Sequence, residues 1–223
     1  MSLLGKAILA VWNEAAPGDE ADFDEWYLRE HIPERTSVPG MLRGRRYRSL
    51  EGGPHNMALY EARDLHVLTS GAYRTQLANP TDWTRRVTSK FRSMQRAICD
   101  VVATAGQGVG GYATVLQFRP AAGAEAQARA WLEQQVTALT SMKQISGAHA
   151  WISAEDEPDS PTIALSARAA GQRPVGWVLA IEATDLDALR AAQAAVLASD
   201  PAAHGAGGLT QLPLYQLAYV WAP

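Results

Sequence analysis

The chain repeats one pattern, and this repeat restricts its fold more than any other feature. Residues 58–68, which read ALYEARDLHVL, match residues 179–189, which read LAIEATDLDAL, position for position. Each segment is an apolar stretch that ends in an acidic residue and then turns through Asp-Leu into a helical pattern. Self-similarity of this kind indicates two copies of one structural unit.

Further pairs of segments keep the same order in both halves, so the repeat covers the whole chain. They comprise an early strand, a helix that carries a tryptophan, and the strand that follows this helix. The pairs are residues 6–12 with 112–118, the helix of Trp26 with the helix of Trp131, and residues 41–50 with 148–154.

Each copy has the order strand, helix, strand, strand, helix, strand. This is the order of the ferredoxin-like split βαβ unit, an antiparallel sheet with helices on one face. In the first copy we expect strands at 5–13, 41–50, 56–63 and 98–105, and helices at 21–37 and 65–97, the latter interrupted near Asn79-Pro80. In the second copy we expect strands at 111–119, 147–154, 175–183 and 211–221, and helices at 123–143 and 185–199.

The sequence therefore predicts an α+β fold of two tandem ferredoxin-like βαββαβ units. The first unit spans residues 1–105, a glycine-rich joint spans 106–111, and the second unit spans 112–223. The second unit carries an insertion at 160–171 that resembles a short helix and could serve as a lid. Each sheet has one face without helices. We therefore expect each unit to cover the open sheet face of the other, which gives an intrachain pseudo-dimeric α+β barrel.

Charge and hydrophobicity exclude some classes of partner. The net charge is −3, and Arg43, Arg45, Arg46 and Arg48 divide between the two faces of a predicted strand, so we expect no nucleic-acid partner. No stretch approaches the roughly 20 apolar residues of a membrane span, and the first apolar run resembles a strand and not a signal peptide. This predicts a cytoplasmic protein without a membrane partner.

The most informative local motif is WYLREHIPER at residues 26–35. It places His31 one helical turn after Tyr27, beside Glu30 and shortly before Pro33. The residue before a proline is pushed out of the α region, so we expect the helix to loosen or end at Ile32. Imidazole, phenol and carboxylate could then converge on one small volume.

Around this motif the chain resembles a known family. The sequence FxxWYxxEHIP at residues 23–33, followed by Val38-Pro39-Gly40 and a strand with Arg45-Arg46-Tyr47, resembles the EthD-like branch of the dimeric α+β barrel superfamily. The resemblance implies a small-molecule pocket between the first helix and the sheet. Relatives in this superfamily include cofactor-free monooxygenases, polyketide cyclases, decarboxylases or dehydratases, lactone isomerases and haem-binding enzymes.

The second copy lacks the ionisable pair of this motif. Aligning Trp26 with Trp131 places Val136 opposite His31 and Gln135 opposite Glu30. We therefore expect one active pocket in each chain, with the unshared histidine as the stronger functional candidate.

We expect His31 to act as a general acid or base, since an imidazole titrates near neutrality. Tyr27 and Glu30 complete the predicted catalytic group, although Glu30 points about 100° away from His31 on an ideal helix. Which sheet residues face the pocket depends on strand register, because a slip of one residue reverses every side chain. The predicted substrate-binding residues are Asn13, Trp26, Arg35, Arg46, Tyr47, Asn56 and Tyr60.

Structural roles compete with these functional ones. The imidazole of His31 could cap carbonyls at a helix end, and Trp26 could be a core aromatic. The sequence contains no two-histidine metal spacing, no GxGxxG, no P-loop and no nucleophile elbow. We therefore predict no metal site and no cofactor.

These observations predict a cofactor-independent enzyme of the lyase or isomerase type. It would dehydrate, decarboxylate or cyclise an apolar aromatic or polyketide-like small molecule, with His31 moving the proton. The alternatives are a cofactor-free monooxygenase and a non-catalytic module that binds a small molecule or haem. Exposed strand edges or helix faces could also pair two chains into a homodimer.

Overall fold

The computed structural model describes residues 2–154, 175–209 and 212–223. The insertion predicted at 160–171 lies outside these ranges. The first unit contains β1 (Ala7–Ala15), α1 (Glu20–Trp26), a π-helical turn (Tyr27–His31), α2 (Ile32–Thr36), β2 (Met41–Glu51), β3 (Asn56–Ala62), α3 (Leu65–Thr69), α4 (Gly71–Ala78), α5 (Asp82–Thr88) and β4 (Phe91–Gly106). The second contains β5 (Tyr112–Pro120), α6 (Glu125–Thr140), β6 (Ile145–Ser153), β7 (Trp177–Ala183), α7 (Leu186–Ala198), a 3₁₀ helix (Pro201–His204), β8 (Ala206–Gly207) and β9 (Leu214–Trp221).

The strands close into one antiparallel barrel, as the repeat predicts. Eight long strands follow the order β7-β6-β4-β1-β3-β2-β9-β5, and β5 pairs with β7 to close the ring. The seams between the units are β4 with β6 and β2 with β9. The units are thus hydrogen-bonded edge to edge and also face each other across the barrel interior.

β4 is longer than the sequence pattern predicts. The expected helix at 65–97 ends at Thr88, and β4 begins at Phe91 instead of residue 98. The reason is tertiary, because β1 continues to Ala15 and pairs there with Phe91. The ladder of β1 overrides the local helical pattern of this segment.

Apolar side chains form three cores, one inside the barrel and one under the helices of each unit. The interior core includes Trp12, Tyr47 and Trp151. The core under the first helices includes Trp26 and Tyr60. Neighbouring residues of a strand face different cores, and this alternation decides which sheet residues approach the helix that carries His31. No helix in the described ranges is long and apolar enough to cross a membrane.

One end of the barrel interior holds an interior charged cluster, whose members are Arg43, Arg45, Glu61, His149 and Glu182. Arg45 donates to Glu182 Oε1 at 2.6 Å and lies 2.9 Å from Glu61 Oε1. Arg43 binds both oxygens of Glu61, and His149 Nε2 lies 3.3 Å from Glu182. Glu61 and Glu182 occupy the same position in the two repeats, so the cluster ties the units together across the pseudo-symmetry axis.

Candidate functional site

His31 lies on the π-helical turn between α1 and α2. The sequence predicts that Pro33 loosens or ends the helix, but Pro33 instead sits in the first turn of α2, and Ile32 keeps helical angles. Proline is tolerated at this position because its missing N–H would have no partner in a first turn. The distortion is therefore a widened turn before the proline, a feature often found at functional sites.

The π turn adds one residue to the first unit. Thr36 and Thr140 are equivalent, because each is the last residue of its helix, precedes a serine at the C-cap and donates its hydroxyl to the carbonyl four residues before it. Thr36 follows Trp26 by ten residues, whereas Thr140 follows Trp131 by nine. Val136 therefore corresponds to Ile32 and not to His31, which corrects the sequence alignment.

The widened turn brings His31 against Trp26. On an α-helix, residues five apart lie roughly 140° apart and do not face each other. Here the two rings stack with centroids 4.1 Å apart and planes inclined by 25°. The edges of Tyr27 and Tyr60 complete the surroundings, at centroid distances of 5.3 and 6.1 Å from the imidazole.

The imidazole of His31 is electrically neutral in this setting. Burial, reinforced by the Arg35 guanidinium, holds the pKa of His31 well below its usual range. Its Nδ1 is buried and has no hydrogen-bond partner within the described ranges. A neutral imidazole has one N–H donor and one acceptor nitrogen, so the ring can accept a proton. No hydrogen bond among the described residues supports the expected alternative, in which the imidazole caps a helix end.

The tyrosines beside His31 stay protonated. Burial raises the pKa of Tyr60 well above its ordinary value and also raises that of Tyr27. The Tyr60 hydroxyl is buried without a partner among the described residues. The Tyr27 hydroxyl pairs with Asn13, whose amide donates to it at 3.0 Å.

Glu30 does not join this group. Its carboxylate accepts hydrogen bonds from Thr81 at 2.6 Å and from Thr84 at 2.9 Å, on α5. Thr84 in turn accepts the indole N–H of Trp26 at 3.0 Å. Glu30 therefore positions the indole on which His31 stacks and does not contact the imidazole, which corrects its predicted place in the catalytic group.

Strand register decides which of the predicted sheet residues face the helices that carry His31. Asn13, Arg46, Asn56 and Tyr60 face the helices, whereas Tyr47 points into the barrel, where its hydroxyl accepts from Arg45 at 2.9 Å. The prediction of Tyr47 as a substrate contact beside His31 is therefore corrected. Adjacent strand positions carry Arg46 and Tyr47, and side chains alternate between faces.

Arg46 and Asn56 form a group of hydrogen-bond donors at the far side of Tyr27. The Arg46 guanidinium lies 4.8 Å from the Tyr27 ring and 5.2 Å from the Phe23 ring, and it donates to Asn56 Oδ1 at 2.6 Å. It also pairs with Asp24. Arg46 Nε and Asn56 Nδ2 remain buried without acceptors in the part of the chain that the structure describes.

A cavity of about 250 Å³ opens beside these donors. Phe23 and Asn56 form part of its wall, and it extends along the end of β1 and the start of α1. Its other lining residues are Glu14, Ala15, Pro17, Glu20, Asp24, His55 and Arg92. His31 does not line this cavity. Arg35 does not line it either, since its side chain is buried elsewhere and donates to Gln76 at 3.4 Å.

The second unit replaces this polar layer with apolar side chains. Ile8 pairs with Glu61 and Ala113 pairs with Glu182, so Ile8 corresponds to Ala113 and the predicted match of 6–12 with 112–118 is shifted by one residue. In the corrected register, Phe118 stands where the first unit has Asn13, and it packs on Trp131 at 5.7 Å.

Sequence analysis missed the interior charged cluster. His149 is fully buried, bonded to Thr104 at 2.8 Å and close to Ser2 and Glu182. The acidic residue at the end of each repeated strand was the available signal, since a glutamate on a buried strand needs a basic partner.

Comparisons with known proteins agree with this architecture. Neither a protein-family model nor a curated protein sequence matches the chain. Among solved structures, an anthrone oxidase-like protein matches with a TM-score of 0.67 and 12% identity, over 97% of this chain and 92% of that one. A protein provisionally assigned as a monooxygenase from Fusobacterium nucleatum matches with a TM-score of 0.62 and 11% identity, over 99% and 96%.

A mutant chlorite dismutase from Candidatus Nitrospira defluvii is also similar, with a TM-score of 0.58 and 13% identity over 96% of this chain and 91% of that one. The chain thus has the fold of the dimeric α+β barrel superfamily, with both halves of the dimer in one polypeptide. The finer resemblance to the EthD-like branch stays a prediction.

The prediction that no cofactor is used is wrong as it stands. Chlorite dismutases are among the structural neighbours, and the superfamily includes haem-binding enzymes. The sequence argument relied on the absence of nucleotide and metal motifs, but haem needs only one axial side chain.

The sites of His31, His55 and His149 nevertheless do not fit a haem. The imidazole of His31 is stacked on Trp26, and both ring nitrogens of His149 lie within hydrogen-bond distance of other side chains. His55 lines the cavity of about 250 Å³, which is smaller than the roughly 300 to 1,000 Å³ of pockets for drug-sized ligands.

Proposed function

We propose that the protein is an enzyme that acts on an apolar, aromatic or polyketide-like ketone, and that His31 removes a proton from the carbon acid of this substrate. The observation that carries the proposal is the neutral imidazole of His31 with its buried, unpartnered Nδ1. A neutral imidazole is suited to proton abstraction, because it is already in its proton-accepting form at neutral pH.

Arg46 and Asn56 supply the second element of the proposed reaction. Removing a proton beside a carbonyl places negative charge on the carbonyl oxygen, and buried donors that point at this oxygen stabilise the charge. Arg46 Nε and Asn56 Nδ2 are free donors, and Asn56 lines the cavity. We propose a substrate whose carbonyl and acidic carbon lie on opposite sides of a ring system, so that the carbonyl meets these donors and the carbon meets His31.

Anthrone has this arrangement, with a carbonyl and a methylene group across its central ring. Removal of a proton from the methylene by His31 gives an anion. O₂, as the oxidant, converts this anion to anthraquinone and is itself reduced, and the proton returned by His31 completes one molecule of water. The names of two neighbours, an anthrone oxidase-like protein and an assigned monooxygenase, favour this oxidative outcome over the lyase or isomerase reaction expected from the sequence. Oxidation, dehydration and cyclisation share this first proton transfer, whereas decarboxylation does not.

The test separates proton transfer from oxidation. Under argon in D₂O, we expect the protein to accelerate exchange of the anthrone methylene protons, measured by NMR, and under air to accelerate O₂ uptake. His31→Gln keeps the size of the side chain but lacks a base of this strength, and we expect it to lower both rates at least about 100-fold. His66→Gln changes an exposed histidine on α3 and serves as the matched control.

Each outcome bears on a separate part of the proposal. Exchange without O₂ uptake supports the base and rejects the oxidation. Equal rates for the His31→Gln variant and the unaltered protein would remove His31 from the mechanism.

A further inference from the structure

Part of the wall of the cavity of about 250 Å³ comes from a bulge in β4. In the ladder of β1 with β4, Glu14 pairs with Ser93. Ala15, the next residue of β1, pairs with Phe91, so Arg92 is the extra residue of the bulge. A bulge bends its strand and re-aims a side chain, and bulges are frequent next to active sites. This one carries Arg92, which lines the cavity.

The guanidinium of Arg92 is not committed to another group. Arg92 is exposed, and its side chain forms no ion pair and no hydrogen bond with a residue of the described ranges. Most other arginines in these ranges hold a carboxylate, as Arg48 holds Asp24. A free guanidinium presents a planar fork of N–H donors, which matches the two oxygens of a carboxylate on a ligand.

A different donor lies at the buried end of the same cavity. Asn56 is 1% exposed, lines the cavity and keeps its Nδ2 without an acceptor among the described residues. β1 lies between β3, which carries Asn56, and β4, which carries Arg92. Two strand spacings therefore separate the two residues by roughly 10 Å across the sheet. A single ring with substituents at both ends can bridge this separation.

Three carboxylates also line the cavity, and two of them are occupied. Asp24 pairs with two arginines of β2, and Glu20 accepts a backbone N–H of the preceding loop at 2.8 Å. Glu14 forms no ion pair with a residue of the described ranges. An anionic group of a ligand should therefore bind beside Arg92, and the charge of Glu14 should weaken this binding.

The rest of the wall favours an aromatic body for the ligand. Ala15, Pro17 and the buried ring of Phe23 are among the lining residues. Such apolar side chains pack against a flat ring. The volume is below the range for drug-sized ligands, so a small ring system is the better match.

We propose that the substrate of the proposed reaction is an aromatic keto acid, and that Arg92 selects it. The ketone oxygen accepts from Asn56 at the buried end of the cavity. A carboxylate at another edge of the ring system binds Arg92 at the exposed end. This inference rests on the proposed function for the position of the ketone, and it narrows the substrate class from aromatic ketones to their acids.

The test measures binding and needs no turnover. The probe is 4-acetylbenzoate, titrated into the unaltered protein in a calorimeter, with the uncharged 4-acetylbenzamide as the matched ligand. We expect the acid to bind about fivefold more tightly than the amide, because only the acid is charged. 4-Ethylbenzoate keeps the charge but lacks the ketone oxygen, and we expect it to bind about fivefold more weakly than 4-acetylbenzoate.

Arginine variants assign the charge effect to one residue. Arg92→Gln should weaken binding of 4-acetylbenzoate about fivefold and leave binding of 4-acetylbenzamide nearly unchanged. Arg74→Gln is the matched control, because Arg74 is exposed on α4, does not line the cavity and also lacks an ion pair within the described ranges. Glu14→Gln should strengthen binding of the acid, because it removes a negative charge from the cavity wall.

Arg92 is exposed, so its variant should keep the thermal transition of the unaltered protein, and weaker binding then reports recognition. Equal affinities for the acid and the amide would overturn the proposal, as would equal effects of Arg92→Gln and Arg74→Gln. Absence of 4-acetylbenzoate binding would overturn it as well. Proton exchange of anthrone tests His31 separately, so binding of the acid without exchange would reject the base and leave the anion site in place.

Discussion

At the scale of the single residue, His31 couples stability to pH. Its pKa in the folded state is lowered, so the unfolded chain takes up a proton more readily. The stability contribution of the neutral ring is therefore complete above the unfolded pKa of about 6.5 and is lost as pH falls towards the folded pKa. We expect the free energy of unfolding, from urea titrations at pH 7.5 and 5.5, to fall less in His31→Gln than in the unaltered protein.

The fall in the free energy of unfolding should differ between these two proteins by at most about 1.4 kcal/mol per pH unit, which is the value for one proton. His66→Gln, at an exposed position, should follow the unaltered protein. An identical pH dependence in all three proteins would show that the His31 ring is not buried in solution.

At the scale of the element, the π turn is an insertion that the fold can spare. The second unit builds the same helix packing with one residue fewer, as the equivalence of Thr36 and Thr140 shows. Deleting Arg29, an exposed residue of this turn, should convert the turn to α-helix and keep both flanking halves in register. We expect a cooperative thermal transition, and loss of proton exchange because the Trp26–His31 stack needs the wider turn.

Deleting Gln134 from α6 is the matched control. α6 has no widened turn, so the deletion rotates every later residue of the helix by roughly 100° and removes its apolar face from the sheet. Circular dichroism melting should show severe destabilisation of this variant. Similar losses in both deletions would contradict the view that the π turn is a dispensable insertion.

At the scale of the whole molecule, we expect the interior charged cluster to make the two units unfold as one. Arg45 of the first unit and Glu182 of the second are both buried, and their ion pair holds the pKa of Glu182 at about 2. Glu182→Gln leaves Arg45 with less compensating charge in a buried site. We expect it to lower the free energy of unfolding by about 3 kcal/mol, within a single urea transition.

The surface pair of Arg190 and Glu51 also joins the units, but it is exposed. Arg190→Gln should cost less than about 1 kcal/mol. Two separate transitions in the unaltered protein would show that the units fold independently. Pairing of two chains into a homodimer stays a prediction.

The sequence alone determined the architecture, because a repeat of this length has few solutions. The match of residues 58–68 with 179–189 predicted two units, and an open sheet face in each unit predicted a closed pseudo-dimer. Both follow from local patterns and from the need to bury apolar faces. The sequence also singled out His31 as the candidate site residue, because the second copy lacks an ionisable residue there.

Only the tertiary structure decided which side chains meet. Tyr47 and Arg46 are neighbours in sequence, yet they lie on opposite faces of the sheet, because side-chain direction depends on strand register. Glu30 binds α5, a helix more than 50 positions away, and the π turn shifts the alignment at His31 by one residue. Hydrogen bonds between distant segments set these features, and no local pattern in the sequence records them.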